Sequence, residues 1–214
     1  MKKVNVQKEI LSSNDYVAQQ NKDFFNHINA TVLNIMASPG AGKTSVILQT
    51  IKNLPDLNLL VIEGDIAGDI DARKVEELGV PAIQINTGGG CHLNASMIQA
   101  AIERFPNNNI DMVLIENVGN LICPAQLNLG EDFKVVILSV PEGHDKPLKY
   151  PIIFQSANLV LLNKIDLLPL SDFDMAEFTG YVRRVNPDVE IIGLSCKTGE
   201  GIEEWIECLK GSFE

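Results

Sequence analysis

Ala37-Ser38-Pro39-Gly40-Ala41-Gly42-Lys43-Thr44 is the stretch that decides the fold. It follows an apolar run at 31–36 and opens a segment of helical character from Lys43. The pattern is G-x-x-x-x-G-K-[ST] with Ala in the first position. Its glycines let the backbone curl so that several N–H groups converge on a polyphosphate, and the helix N-terminus adds partial positive charge. Lys43 then reaches the β- and γ-phosphates, and the Thr44 hydroxyl ligates Mg2+. Ser38, Pro39, Gly40, Ala41, Gly42 and Ser45 complete the expected cradle. A chance Gly-rich turn is the competing reading, and the order strand, loop, helix argues against it.

Outward from this loop the chain alternates. Apolar strands are predicted at 31–36, 59–62, 82–85, 112–115, 135–140, 159–162 and 191–194. Helices are predicted from Lys43 and at 71–78, 94–104, 173–185 and 202–209. Near-continuous apolar strands alternating with helices imply a sheet buried on both faces. The expected fold is α/β: a three-layer P-loop NTPase with a mostly parallel central sheet flanked by helices, its functional loops gathered at the carboxyl ends of the strands. Residues 8–27 carry Ile10, Val17, Phe24 and Phe25 near helical spacing. The expected division is therefore an N-terminal helical extension at 1–30, packed beside a P-loop GTPase domain at 31–214.

The 214 residues suit one compact domain with an appendage, and 45% hydrophobic with 21% charged is ordinary for a globular chain. No apolar run reaches the ~18 residues of a membrane span, and no signal-peptide pattern follows the basic first residues. A cytoplasmic address is expected. The formal net charge of −11 disfavours nucleic acid and anionic membrane as partners. The four cysteines, Cys91, Cys123, Cys196 and Cys208, are then expected as thiols rather than a disulfide framework.

Two carboxylates are candidates for the Mg2+ shell. Glu116 closes the 112–115 strand, and Glu116-Asn117-Val118-Gly119 stands where GTPases often carry Asp-x-x-Gly. Gly119 would then sense the γ-phosphate through its N–H. Asp65 follows the second strand, and a solvated loop carboxylate is an equally open reading of it. After the 159–162 strand comes Asn163-Lys164-Ile165-Asp166, an N-K-x-D pattern. A carboxylate at Asp166 accepts from N1–H and the N2 amino group of guanine. Adenine has no donor at either position, so it would leave the carboxylate unpaired, and such a site rejects the analogue by ~10⁴-fold in favourable cases. The Lys164 stem packs along the base, and Asn163 bonds the base and braces the phosphate loop. Ser195-Cys196-Lys197 is placed to offer backbone donors to guanine O6. Cys196 reads as a small apolar neighbour of the base.

A second constellation is Asn86-Thr87-Gly88-Gly89-Gly90-Cys91-His92, with Cys123 beyond the 116–119 segment. Thiolate and imidazole suit Ni2+ or Zn2+ better than a hard cation. One chain offers three ligands, one short of a closed tetrahedral site, and pairing two chains would bring six together. Two buried thiols beside a helix-capping histidine remain the alternative. A γ-phosphate that moved the 116–119 segment would move Cys123 with it, which links nucleotide state to metal release.

These motifs together resemble the HypB family, the hydrogenase nickel-incorporation GTPases. The matching pieces are Ser38 to Thr44, Glu63-Gly64-Asp65, Thr87 to Leu93, Glu116 to Leu121, Cys123-Pro124, Lys146-Pro147-Leu148-Lys149-Tyr150-Pro151 and Asn163 to Asp166. The related urease factor UreG has a similar phosphate loop but a Cys-Pro-His metal motif. The resemblance implies a homodimer promoted by GTP, binding of GTP, GDP and Mg2+, and Ni2+ or Zn2+ held at the interface by Cys91, His92 and Cys123. It implies Ni2+ delivery toward the precursor of the [NiFe]-hydrogenase large subunit, in some organisms also toward urease, and a nickel-chaperone partner of the HypA type. Residues 1–30 contain no cysteine and the single histidine His27, so a separate tight N-terminal nickel site is not expected. In-line attack of water on the γ-phosphate is expected, with Lys43 and Mg2+ stabilising the developing charge. No glutamine follows 116–119 to orient that water, which predicts slow turnover. Lys146 and Lys149 are read in a Pro-rich loop, either reaching a nucleotide across the dimer or merely solvated. The rivals are a GTP-gated interaction module whose cysteines are structural, a translation or signalling GTPase that has no use for Cys91, His92 and Cys123, and a P-loop kinase that has no use for Asn163 to Asp166.

Overall fold

The computed structural model describes residues 6–65, 68, 70–105 and 109–211, with side chains from residue 11 onward. Seven strands form one parallel sheet: β1 (Thr31–Ala37), β2 (Leu59–Asp65), β3 (Ala82–Asn86), β4 (Met112–Glu116), β5 (Phe133–Ser139), β6 (Leu159–Asn163) and β7 (Glu190–Leu194). Their order is β3-β2-β4-β1-β5-β6-β7, with every pairing parallel. This is the parallel, helix-flanked sheet the sequence implies. β1 lies at its centre, so the phosphate loop leaves the middle of the carboxyl edge with β4 on one side and β5 on the other.

Period-two alternation builds the two cores. Leu33, Ile35 and Ala37 of β1 face one side, beside Leu114, Ile137, Leu161 and Ile192 of neighbouring strands. There they pack under α2 (Lys43–Asn53) and α8 (Ile202–Gly211), with Val75 of α3 (Ile70–Glu76) at the margin. Trp205 of α8 is fully buried and donates from Nε1 to Thr50 Oγ1 of α2 at 2.8 Å. On the other side, Met36, Val136, Leu138 and Val160 meet α6 (Pro151–Gln155) and α7 (Met175–Val185). Val32, Ile62, Val113 and Ile115 meet α4 (Ala95–Ile102) and Phe25 of α1 (Val6–His27). No described helix is long and apolar enough to cross a membrane.

Most boundaries move by a residue or two. β2 continues past its apolar run to Asp65, because parallel neighbours on both sides bind its backbone: Glu63 pairs with Gln84 of β3 and with Glu116 of β4. β5 starts at Phe133 and stops at Ser139, where Val140–Glu142 turns as a 3-10 helix. The larger difference is the segment read as a Pro-rich loop. It folds into α5 (Lys146–Lys149) and α6, each with proline in its first turn, where a missing N–H costs nothing. One-turn helices are too short to show periodicity.

Candidate functional site: a nucleotide cleft joined to a thiol–imidazole cluster

The phosphate loop is shaped by Gly42, which caps α2 at φ 102°, a left-handed conformation disfavoured for other residues. A Cβ there would also strike the Asn163 side chain. Lys43 is only 9% exposed and lies 3.9 Å from Glu116 Oε1. The Thr44 hydroxyl donates to the same oxygen at 3.0 Å. Gly119 lies against Pro39, where an added Cβ would come within 3.0 Å. On the β5 side, the Ser38 hydroxyl donates to Glu142, whose other oxygen accepts from Ser139 N at 2.7 Å. Glu142 thus ties the loop to the end of β5; the Ser139-x-x-Glu142 spacing is a capping-box signal for its contact with Ser139, while nothing local points to Ser38.

A cavity of about 270 Å³ opens beside Lys43, lined by Pro39, Glu63, Asp65, Asp71, Glu116 and Gly119 among others. Burial pushes the Glu116 carboxyl up to about 7 despite the opposing pull of Lys43 and Thr44. Glu63 is pushed up to about 7 as well, by burial first and then by the charges of Glu116, Asp71 and Asp65. Its Oε2 is buried without a hydrogen-bond partner. Hard carboxylate oxygens, the Thr44 hydroxyl and an orphaned Oε2 together fit Mg2+, which prefers such ligands. Asp65 is therefore placed at the phosphate cavity, with Oδ2 accepting from Gly68 N at 3.0 Å. Glu63 is a site residue that the sequence marks only as part of Glu63-Gly64-Asp65, with no role of its own, and the fold places it on β2.

The second cavity, about 450 Å³, is lined by Gly42, Ser45, Asn163, Lys164, Asp166, Ser195, Cys196 and Lys197, together with three further side chains of α2 and Leu167. Asn163 Nδ2 donates to Ala41 O at 2.9 Å, while its Oδ1 accepts from Lys164 N at 2.8 Å and Cys196 N at 3.4 Å. Lys164 Nζ donates to Gly40 O at 2.7 Å. Asp166 Oδ1 accepts from the Ser195 hydroxyl at 2.7 Å, which orients the carboxylate toward the cavity it lines. Cys196 is half-buried, and burial pushes its thiol up to about 11, leaving a neutral apolar neighbour. Gly42 lines this cavity while Pro39 and Lys43 line the other, so the expected base and phosphate residues flank the same loop. Lys146 and Lys149 line neither cavity. Lys149 pairs with Asp145 at 2.5 Å, and Lys146 lies 5.5 Å from the centre of the Tyr150 ring.

Beyond the cleft, one ligand atom from each of Cys91, His92 and Cys123 lies within 4.8 Å of the others. Cys91 Sγ is 3.1 Å from Cys123 Sγ and 3.4 Å from His92 Nδ1. The bond with the Cys123 thiol raises the Cys91 thiol above its ordinary value. Cys91 is exposed, and α4 is capped by Asn94, whose Oδ1 accepts from Met97 N at 3.0 Å. Neither fact suits buried thiols beside a helix-capping histidine. Asn117 joins this cluster to the cleft. It is 1% exposed, and its Oδ1 accepts from Val118 N at 3.0 Å and from Leu93 N at 3.1 Å, next to His92. Its Nδ2 donates to Asn34 Oδ1 at 3.1 Å. Asn120 Nδ2 adds a bond to Cys91 O at 3.2 Å.

Comparison with known proteins agrees with this geometry. Residues 31–193 match the model of the CobW/HypB/UreG nucleotide-binding domain. The chain is 50% identical over 204 residues to the hydrogenase maturation factor HypB of Azotobacter vinelandii, covering 95% of this chain and 67% of that one. It superposes on a crystal structure of HypB from Helicobacter pylori in complex with nickel with a TM-score of 0.90, at 36% identity over 94% of this chain and 95% of that one. A crystal structure of the hydrogenase maturation factor HypB from Archaeoglobus fulgidus gives a TM-score of 0.89, at 37% identity over 95% of this chain and 100% of that one. With the phosphate loop, the N-K-x-D pocket and the thiol–imidazole cluster on one scaffold, the chain belongs to the HypB family of hydrogenase maturation factors, within the CobW/HypB/UreG group of nucleotide-binding domains.

Proposed function

We propose that this chain is a GTPase that carries Ni2+ during the maturation of [NiFe]-hydrogenase, with its hold on the metal set by the nucleotide. The observation that carries the proposal is Asn117. One buried side chain holds both the segment that lies on the phosphate loop and the backbone beside His92. A change at the γ-phosphate is therefore transmitted to the ligands through two hydrogen bonds.

In the chemical step, Lys43 neutralises charge that develops on the β- and γ-phosphates. Thr44, Glu116, Asp65 and Glu63 would hold Mg2+, which would supply further charge stabilisation when bound. Gly119 offers its N–H to the γ-phosphate. Asp166 pairs with N1–H and the N2 amino group of guanine, and Ser195 keeps its carboxylate in that orientation. The lack of a water-orienting glutamine after Gly119 makes hydrolysis to GDP and phosphate slow, as suits a switch. Ni2+ is the cargo of Cys91, His92 and Cys123, and Zn2+ competes for the same soft ligands. A GTP-promoted homodimer completes the metal shell with the second copy's ligands. Lys146 and Lys149 act in trans across that dimer, once Lys149 leaves Asp145. The 1–30 segment, of which residues 1–5 lie outside the described residues, serves as an extension of the 31–214 GTPase domain through α1, in a cytoplasmic protein that works with a HypA-type nickel chaperone on the hydrogenase large subunit precursor.

The test is Ni2+ and Zn2+ titration of wild type and Cys91→Ala, each with GDP and with a non-hydrolysable GTP analogue, with molar mass followed by light scattering. Metal affinity and dimerisation that change with nucleotide, and loss of binding in Cys91→Ala, are the expected results. Metal binding that ignores both nucleotide and Cys91 would leave a GTPase without the delivery mechanism.

A further inference from the structure

The two arms that carry the metal ligands are gripped by α1. One arm runs from Cys91 and His92 through Leu93 and Asn94 to Ala95, the first residue of α4. The other runs from Cys123 through a 3-10 turn to Asn128 and Leu129. Asn14 and Asn21 lie seven residues apart on α1, two turns along one face. Asn14 accepts from Ala95 N at 2.9 Å and donates to Asn128 O at 2.8 Å. Asn21 donates to Ala95 O at 2.9 Å and to Leu129 O at 2.9 Å. Each side chain bridges one arm to the other, and both backbone polar groups of Ala95 are used.

The Asn21 half of the bridge is tightly built, while the Asn14–Asn128 bond is exposed. Asn21 is 1% exposed, and Ala95 and Leu129 are fully buried, so none of these groups exchanges its partner for water without opening the helix. Gly130, at φ 98°, follows Leu129 and lies directly under α1. A Cβ there would come within 2.7 Å of Asn21 Cβ and 2.8 Å of Ala18 O. Lys22 pairs with Asp132 just beyond. Asn14, Asn21, Ala95, Asn128 and Leu129 line neither nucleotide cavity. The bridge acts three residues from His92 and five from Cys123.

We propose that α1 is a clasp for the metal site, in which Asn14 and Asn21 are positioning residues that fix the separation of the Cys91/His92 arm from the Cys123 arm and so hold the three ligands at metal-binding spacing. The proposal rests on the reading of Cys91, His92 and Cys123 as ligands. Hydrogen bonds made directly to metal ligands typically contribute ~10–100-fold in metal affinity, and Asn14 and Asn21, which bond backbone beyond the ligands, belong at the low end of that range. By reciprocity, metal tightens the clasp as much as the clasp tightens metal.

The discriminating variant is Asn14→Asp in the full chain. The carboxylate still accepts from Ala95 N, so α4 keeps its start, but it donates nothing to Asn128 O and repels it. Ni2+ binding by calorimetry should weaken by about 10-fold, and the sulfur-to-nickel charge-transfer band should shift, while GDP affinity stays at the wild-type value. Asn21→Ala should act in the same direction more strongly, with a lower melting temperature. Unchanged Ni2+ affinity and an unchanged band in Asn14→Asp, beside intact binding by wild type, would overturn the clasp alone. Equal losses of Ni2+ and GDP affinity would also overturn it, by showing only a general loosening of the fold. Absence of Ni2+ binding in wild type would instead remove the ligand reading, and the clasp with it.

Discussion

Replacing Asn117 with alanine separates the metal cluster from the nucleotide cleft. The change removes the acceptor of Leu93 N and Val118 N and the donor to Asn34 Oδ1. All four residues are buried, so water does not readily take the place of the lost side chain. Each orphaned group costs ~1–3 kcal/mol, and partial relaxation around the small cavity brings the three to about 4 kcal/mol. For a chain of this length that is a fall in melting temperature of about 8–16 °C. The functional loss is more specific. Coupling between two ligands is typically ~1–3 kcal/mol, so wild-type Ni2+ affinity should differ by roughly 5–150-fold between GDP and a non-hydrolysable GTP analogue. In Asn117→Ala that ratio should fall to about 1, with both nucleotides still bound. Asn117→Asp keeps the two acceptor bonds and should keep most of the ratio. The assay is Ni2+ calorimetry at a temperature where each variant is folded by circular dichroism, with each nucleotide in turn. A folded, nucleotide-binding Asn117→Ala that retained the wild-type ratio would refute the route through this side chain.

Base selection and pH response give two further expectations. Asp166→Asn turns an acceptor pair into one acceptor and one donor, so competition binding should show guanine nucleotides losing to xanthine nucleotides, which carry a carbonyl in place of the N2 amino group; undiminished GTP preference would count against Asp166 as the base reader. Glu63 and Glu116 are both held at about 7, above their ordinary value of 4.5, so the folded chain binds protons more tightly than the unfolded one. Their contribution to stability is full below about 4.5 and is lost as pH rises through about 7. Nucleotide-free and Mg2+-free protein should therefore lose melting temperature between pH 5 and pH 8, and Glu63→Gln should flatten that slope; an equal slope in the variant would contradict the burial argument.

The sequence told most where chemistry and local spacing coincide. A phosphate loop needs its glycines and Lys43 within eight residues, and guanine recognition needs Asn163 and Asp166 three apart, so both were legible without coordinates. The alternating apolar strands were legible for the same reason, since a sheet covered on both faces leaves a run with no polar phase. Cys91 and His92 stood out by adjacency and Cys123 by its place just beyond the 116–119 segment, and the fold brings the three within 4.8 Å, a distance that a separation of 32 residues could not give. Asn117 and Glu63 stood inside quoted motifs, but their roles were not legible, and neither was the hold of Glu142 on Ser38. Glu142 holds Ser38 from 104 residues away, and Asn117 holds Asn34 from 83. Asn14 and Asn21 look like any polar positions on an amphipathic helix, and only the fold brings Ala95 and Leu129 to them.

Lys164 sits at φ 63°, a left-handed conformation unusual for a residue with a side chain, and its Nζ is fastened to Gly40 O while Asn163 fastens Ala41 O. The base-reading loop and the phosphate loop are thereby assembled by contacts of the protein with itself. A nucleotide entering such a cleft spends little of its interaction energy on ordering the receptor. Arrival is then governed by diffusion and orientation, and discrimination among nucleotides is expressed in how long each one stays. Under the proposed function, that residence time would be the clock: the interval between capture of a guanine nucleotide and its departure would set how long the cargo-bearing state persists.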